Sequence, residues 1–246
     1  MNQVYVVGMG PGGPEQMTGQ ARQVLEACDL IVGYTVYVEL LKEILPDKTY
    51  RETPMRREVE RCRIALEEAQ KGRRVAMVCS GDAGVYGMAG LMLELGEGYP
   101  GCQVEVVPGV TAALSGGALL GAPLGHDFAV VSLSDLLTPW EVIEKRLRFA
   151  AMADMAICLY NPSSKKRAGY LKRACNIIME ETGGERVCGL AYSIGREGQG
   201  VEVLTLKELG GRQVDMFTTV FVGNSQTRAM GGKMVTPRGY RGVSEA

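Results

Sequence analysis

Three short segments concentrate the glycine and polar residues best suited to shape a ligand site. They are Gly8-Met9-Gly10-Pro11-Gly12-Gly13, Ser80-Gly81-Asp82-Ala83-Gly84-Val85-Tyr86 and Val107-Pro108-Gly109-Val110-Thr111-Ala112. Glycine lets a backbone approach a ligand closely. Asp82 can accept from hydroxyls or cap a following helix. The first segment also contains G-x-G-x-x-G, the spacing of a dinucleotide fingerprint. Three features oppose that reading. Pro11 and Pro14 remove amide donors. The next helix pattern starts only at Thr18, too late for a phosphate to sit on its N-terminus. The second strand ends Ile31-Val32-Gly33-Tyr34-Thr35, with no acid for a ribose.

Other chemistries are excluded by composition. Lys and Arg number 27 against 28 Asp and Glu, a net charge of −1. A phosphate-backbone binder would show a basic excess. Aromatics are 6%, too few for a single-strand stacking platform. The seven cysteines are scattered without a C-x-x-C, and His126 is the one histidine. Zinc and iron–sulfur sites need clustered ligands, so no metal site is expected. Odd, scattered thiols predict reduced cysteines and a cytoplasmic protein. No apolar run reaches a membrane span, and the chain enters a strand-like run at once, without a signal-peptide pattern.

The elements that must position these segments follow from hydrophobic periodicity. Val4–Val7, Leu30–Val32, Val75–Cys79 and Val104–Val107 read as buried strands. Between them, helices are predicted from Thr18 (an N-cap) to Cys28, from Tyr37 to Leu45, from Glu58 to Lys71 and around Tyr86 to Leu95; a small-residue helix follows from Val110 to Leu120. This alternation predicts a parallel α/β sheet, with the three segments at strand C-termini. A domain boundary is expected at 121/122. Beyond it, strands are predicted at 128–132, 155–160, 187–192, 201–205 and 218–222, with helices at 140–150 and 165–180. Consecutive strands without helices imply a mixed sheet. Gly231 onward reads as loose.

Together the three segments, in this order and spacing, resemble the tetrapyrrole methylase family. These are S-adenosylmethionine-dependent methyltransferases of two α/β domains with a cofactor cleft between them. The resemblance covers essentially the whole chain. Within the family, Gly125-His126-Asp127-Phe128 through Pro139-Trp140 resembles the branch that methylates C17 of precorrin-3B or cobalt-factor III and contracts the ring. So do Tyr160-Asn161-Pro162-Ser163-Ser164, Gly223-Asn224-Ser225-Gln226-Thr227-Arg228 and Thr236-Pro237-Arg238-Gly239-Tyr240. Ala83 stands where many members have Pro, as in the C17 branch.

The resemblance implies cofactor contacts at Pro11, Ser80, Gly81, Asp82, Val85, Thr111, Ala112, Asn161, Gly195 and Thr219, with Asp82 as the polar anchor. The implied substrate is a polycarboxylate macrocycle, for which Arg228 and Arg238, and beside them Lys165, Lys166 and Arg167, are candidate partners. Ring contraction needs proton transfer, for which His126, Asp127, Ser132, Ser134 and Asp135 are candidates. His126 is also a candidate ligand to a substrate cobalt. The resemblance further implies a homodimer, with the small-residue helix as a supporting hint. Competing readings are a sister methyltransferase acting at another corrin carbon, a nicotinamide-dependent oxidoreductase and a non-catalytic tetrapyrrole or cobalt carrier.

Overall fold

The computed structural model describes residues 2–164 and 167–240, and the chain packs as two units, Met1–Thr111 and Ala112–Ala246. In the first unit, strands β1 (Asn2–Gly8), β2 (Leu30–Tyr34), β3 (Thr49–Thr53), β4 (Val75–Cys79) and β5 (Cys102–Val107) form one sheet in the order β3-β2-β4-β1-β5. Every pairing is parallel. Helices α1 (Gly19–Ala27) and α2 (Thr35–Ile44) cover one face, and α3 (Glu58–Gln70) and α4 (Ala89–Gly96) cover the other. Every residue of β4 is therefore buried, which is why its sequence is an unbroken apolar run. Thr18 caps α1 as its sequence predicts, accepting from the Ala21 N–H at 3.1 Å. Parallel pairing brings all five strand C-termini to one edge, so the three glycine-bearing segments lie together there.

The second unit begins with α5 (Ala112–Leu120), β6 (Gly121–Ala122), β7 (Phe128–Ser132), α6 (Trp140–Met152), β8 (Ala156–Tyr160) and α7 (Tyr170–Thr182). It continues with β9 (Val187–Tyr192), β10 (Gly200–Thr205), α8 (Leu206–Leu209), β11 (Thr218–Val222), β12 (Arg228–Met230) and β13 (Lys233–Val235). The main sheet runs β10-β9-β11-β8-β7. Only β7 and β8 pair in parallel within it; the other three ladders are antiparallel. Residues alternate between the two faces. Val131, Ile157, Leu159 and Val220 pack under α6 and α7, while Val130, Cys158, Ala191 and Phe221 pack under α5.

Four expectations change. The division falls at Thr111/Ala112 instead of 121/122, because α5 packs on β9, β10 and β11. Its small residues serve that packing: a Cβ on Gly116 would meet Ile194 and Phe221 side chains at 3.0 Å. Within the segment expected to be loose, residues 233–235 form β13, which pairs with β12 and β6, and Met234 and Thr236 are buried; residues 241–246 lie outside the described residues. The helix expected around Tyr86 starts at Ala89, and that expected from 165 starts at Tyr170; Lys165 and Lys166 lie outside the described residues. Among the described residues no helix is long and apolar enough to cross a membrane.

Candidate functional site

In the first unit the three segments are bound into one block. Met9 N–H donates to the Cys79 carbonyl at 2.9 Å, and Gly10 and Gly81 exchange both backbone hydrogen bonds, at 3.1 and 2.7 Å. Gly10 and Gly81 both have positive φ, a conformation that favours glycine. Asp82 ties in the third segment. Its Oδ1 accepts from the Gly84 N–H at 2.8 Å and its Oδ2 from the Gly109 N–H at 2.9 Å. The segments touch without room for side chains: a Cβ on Gly8 would lie 2.7 Å from the Gly81 carbonyl oxygen and the Gly109 nitrogen. Pro11 is buried, and Ser80, Val85 and Thr111 are half-buried on this edge. Asp82 does not cap α4, which begins at Ala89. It is a clasp between loops, a role hidden from sequence because Gly109 lies 27 residues away.

The register of the second unit separates its candidates into two groups. Ser132 pairs with Tyr160, Val220 with Leu159, and Thr219 with Ala191. These pairings bring Ser132, Asn161, Gly195 and Thr219 to the same edge of the sheet. There the Asn161 side-chain amide donates to Ser132 Oγ at 2.9 Å, and Asn161 takes a left-handed φ of 54°, which Asn tolerates better than most residues. Ser132 Oγ also accepts from the Ser134 N–H at 3.2 Å. Arg167 donates to Ser134 Oγ and, at 3.0 Å, to Ser164 Oγ, and lies 3.8 Å from Asp135. The Tyr170 hydroxyl donates to Asp135 Oδ2 at 2.6 Å. That bond favours the protonated phenol and holds Tyr170 above its usual value. Tyr160 donates no less to the local order: its hydroxyl oxygen accepts from the Ala113 N–H at 2.7 Å, near the start of α5. Ala112 is partly buried there, and Gly195, at positive φ, donates its N–H to Gln199 Oε1 at 2.8 Å. Thr219 is buried in β11.

His126 and Asp127 lie at the other end of β7. Four residue steps of roughly 3.3 Å separate Phe128 from Ser132, so the five proton-transfer candidates do not form one cluster. His126 and Asp127 are exposed and line an open pocket of about 500 Å³ with Asp154, Met155, Asn224 and Gln226. Asp154 accepts from Ser225 at 2.6 Å and pairs with Arg186 at 2.7 Å. Arg228 and Arg238 are exposed and belong to the segment packed on this side, Arg238 reaching the Gly125 carbonyl at 3.4 Å. The motifs that carry them are structural at their centres. Asn224, Thr227 and Thr236 are buried, and Thr227 Oγ1 lies 2.8 Å from Thr236 Oγ1, which donates to the Pro123 carbonyl at 2.6 Å.

All seven cysteines are free, and burial pushes Cys79, at the end of β4, up to about 11. Among the described residues no group of His, Cys, Asp or Glu is arranged to hold a metal. Sequence reasoning passed over Tyr170, hidden in a helical pattern, and Arg61, which reads as one more charge on a solvated helix but is buried.

Comparison with known proteins agrees with this architecture. Residues 3–210 match the family described as Tetrapyrrole (Corrin/Porphyrin) Methylases. The chain is 46% identical over 236 residues to a Salmonella typhimurium protein named "Probable cobalt-factor III C(17)-methyltransferase", covering 96% of this chain and 98% of the relative. It is 38% identical to the "Precorrin-3B C(17)-methyltransferase" of a Sinorhizobium species, covering 98% of each. The crystal structure of the methyltransferase CobJ matches with a TM-score of 0.89 at 39% identity, over 96% of this chain and 100% of that one. On its loops, its two units and these matches, the chain belongs to the tetrapyrrole methylase family.

Proposed function

We propose that the protein transfers a methyl group from S-adenosylmethionine to C17 of cobalt-factor III or precorrin-3B, with contraction of the macrocycle, in cobalamin biosynthesis. The observation that carries the cofactor assignment is the glycine block of Gly8, Gly10, Gly81 and Gly109. Its loops pack backbone to backbone at the C-terminal edge of the sheet, with no room for a Cβ on Gly8, Gly10 or Gly109. Beside it, Gln16 Oε1 is a buried acceptor without a partner, and buried acceptors are normally satisfied. These features fit a compact ligand with donor groups, and S-adenosylmethionine has an amine and hydroxyls. When bound, the cofactor supplies an electrophilic methyl on a sulfonium. The macrocycle carbon supplies the electron pair, so neither metal nor strong base is needed for this step. The chain's task is alignment and exclusion of water.

In this reading Pro11, Ser80, Gly81, Val85 and Thr111 contact the cofactor from the first unit, and Ala112, Asn161, Gly195 and Thr219 from the second. Asp82 holds the first three loops in place and keeps spare lone pairs for a hydroxyl. Ser132, Ser134 and Asp135 supply proton transfer for ring contraction, since they adjoin Asn161. His126, Asp127, Arg228 and Arg238 are assigned to the opposite side, where His126 meets a macrocycle only if the substrate spans both edges. The protein is proposed to act in the cytoplasm as a homodimer, without nucleic acid or membrane partners.

The test is turnover with cobalt-factor III and with precorrin-3B, each with labelled cofactor, read by mass spectrometry. One added methyl in a ring-contracted product supports the assignment. Thermal protection by NAD and none by S-adenosylhomocysteine would favour an oxidoreductase, and macrocycle binding without methyl incorporation would favour a carrier.

A further inference from the structure

Arg61 is 3% exposed, on the inner face of α3 beneath the C-terminal ends of β2 and β3. Its Nε donates to Thr53 Oγ1 at 2.8 Å, and its Nη2 donates to the carbonyls of Pro54 at 3.0 Å and Thr53 at 3.4 Å. Its Nη1 meets only the Met88 sulfur, at 3.2 Å. The Tyr34 ring centroid lies 5.9 Å from the guanidinium carbon. Among the described residues no carboxylate stands within ion-pair distance of Arg61. This is an unusual state for a guanidinium. Burying a charge is costly unless it is paired, and a thioether is a weak acceptor.

The other buried charge of the same helix shows the contrast. Glu68, 5% exposed, pairs with Lys71 at 2.7 Å and Arg73 at 2.8 Å. Arg61 has no such counter-ion, although three of its four contacts are fixed backbone or strand groups. The fourth is the thioether of Met88, whose side chain packs at the margin of the core. Met88 is half-buried, unbranched, and ends the same loop that begins Ser80-Gly81-Asp82. Methionine changes rotamer easily, so its side chain can leave Nη1 without disturbing Thr53 or Pro54.

We propose that Arg61 is a carboxylate-binding site closed by Met88, and that a carboxylate of a ligand displaces the thioether and pairs with Nη1. This rests on the reading of the protein as a methyltransferase of a polycarboxylate macrocycle. Two ligands could bring the group: the amino-acid end of the cofactor, or an acid side chain of the macrocycle. Arginine suits either, because its planar donors match a carboxylate. The placement at the strand C-terminal edge, next to the loop that also bears Asp82, puts the cation where ligands of parallel sheets bind.

The experiment is calorimetric titration of the full chain and of its Arg61→Met, Arg61→Lys and Met88→Ala variants, with S-adenosylhomocysteine and with cobalt-factor III as separate probes. Arg61→Met is expected to weaken one probe at least about tenfold, a loss on the order of 1.4 kcal/mol, and to leave the other unchanged; the weakened probe names the source of the carboxylate. Met88→Ala is expected to strengthen that same probe, because Nη1 loses its internal acceptor. Arg61→Lys keeps the charge and is expected to fall between wild type and Arg61→Met. Equal affinities in Arg61→Met and wild type would overturn the proposal. So would equal weakening of both probes, which marks a collapsed loop. If Arg61→Met does not fold, unchanged or reduced affinity in Met88→Ala overturns it alone. Failure of the wild-type protein to bind either probe would instead refute the methyltransferase reading.

Discussion

Replacing Asp82 tests whether it acts as a clasp. Its carboxylate accepts two backbone N–H groups, from Gly84 at 2.8 Å and Gly109 at 2.9 Å. Hydrogen bonds to charged groups contribute about 1.5–3 kcal/mol each. Asp82 is half-buried, so the low end applies, and Asp82→Ala should cost about 3 kcal/mol in total. At roughly 2–4 °C per kcal/mol for a chain of this length, the melting temperature should fall by about 6–12 °C. Asp82→Asn keeps one acceptor oxygen but turns an amide donor toward the other N–H, so about half that loss is expected. Cofactor affinity should fall as well, because the binding loops must first be re-ordered. If that ordering carries the whole 3 kcal/mol, the loss approaches about 100-fold. Differential scanning fluorimetry measures the first effect, titration with S-adenosylhomocysteine the second, and amide exchange at Gly84 and Gly109 locates both. A melting temperature and Gly109 exchange rate equal to wild type in Asp82→Ala would refute the clasp.

Four further outcomes follow from the same geometry. Gly109→Ala places a methyl group 2.6 Å from the Gly8 carbonyl carbon, so a destabilisation of about 1–3 kcal/mol or more and loss of S-adenosylhomocysteine binding are expected by calorimetry. Arg167→Ala frees Ser134 and Asp135 from their shared partner; methyl transfer should persist while the contracted product, followed by NMR, declines. His126→Ala removes an exposed side chain, so stability should change by no more than about 0.5 kcal/mol, and methyl transfer should be retained in a turnover assay. Burial pushes the Asp154 carboxyl up, but the bonds from Ser225 and Arg186 outweigh it and hold the group below 3.8. Its contribution to stability is therefore complete above the ordinary carboxylate range and is lost as pH falls below about 4. Asp154→Asn should flatten that acid limb in pH-dependent chemical denaturation.

What sequence could reveal depended on whether pattern or pairing made the element. β4 is covered on both faces, so Val75–Cys79 is uniformly apolar and its limits are legible. β3 is an edge strand with the sequence Thr-Tyr-Arg-Glu-Thr, mostly exposed, and only its ladder to β2 makes it a strand. The hairpin of β12 and β13 escaped for the same reason, since Met234 alone in it is buried. At the site, the glycine segments were legible because each follows a strand, and parallel pairing then puts them together. Asp82 was legible as a polar residue but not as a clasp. The spacing of His126 and Ser132 does not show their separation in the fold. They are six positions apart in sequence, yet an intervening strand carries them to opposite edges of the sheet. Arg61 escaped because a charged residue on a charged helix reads as solvated, and only packing shows which charge faces inward.

The central claim is methyl transfer to one carbon of one macrocycle. Its most direct test supplies cofactor labelled with ¹³C in the transferred methyl together with cobalt-factor III or precorrin-3B, and locates the label in the product by NMR. Label at C17 of a ring-contracted product is the predicted result. Label at another corrin carbon, or no label in a product that the wild-type protein demonstrably binds, would contradict the account.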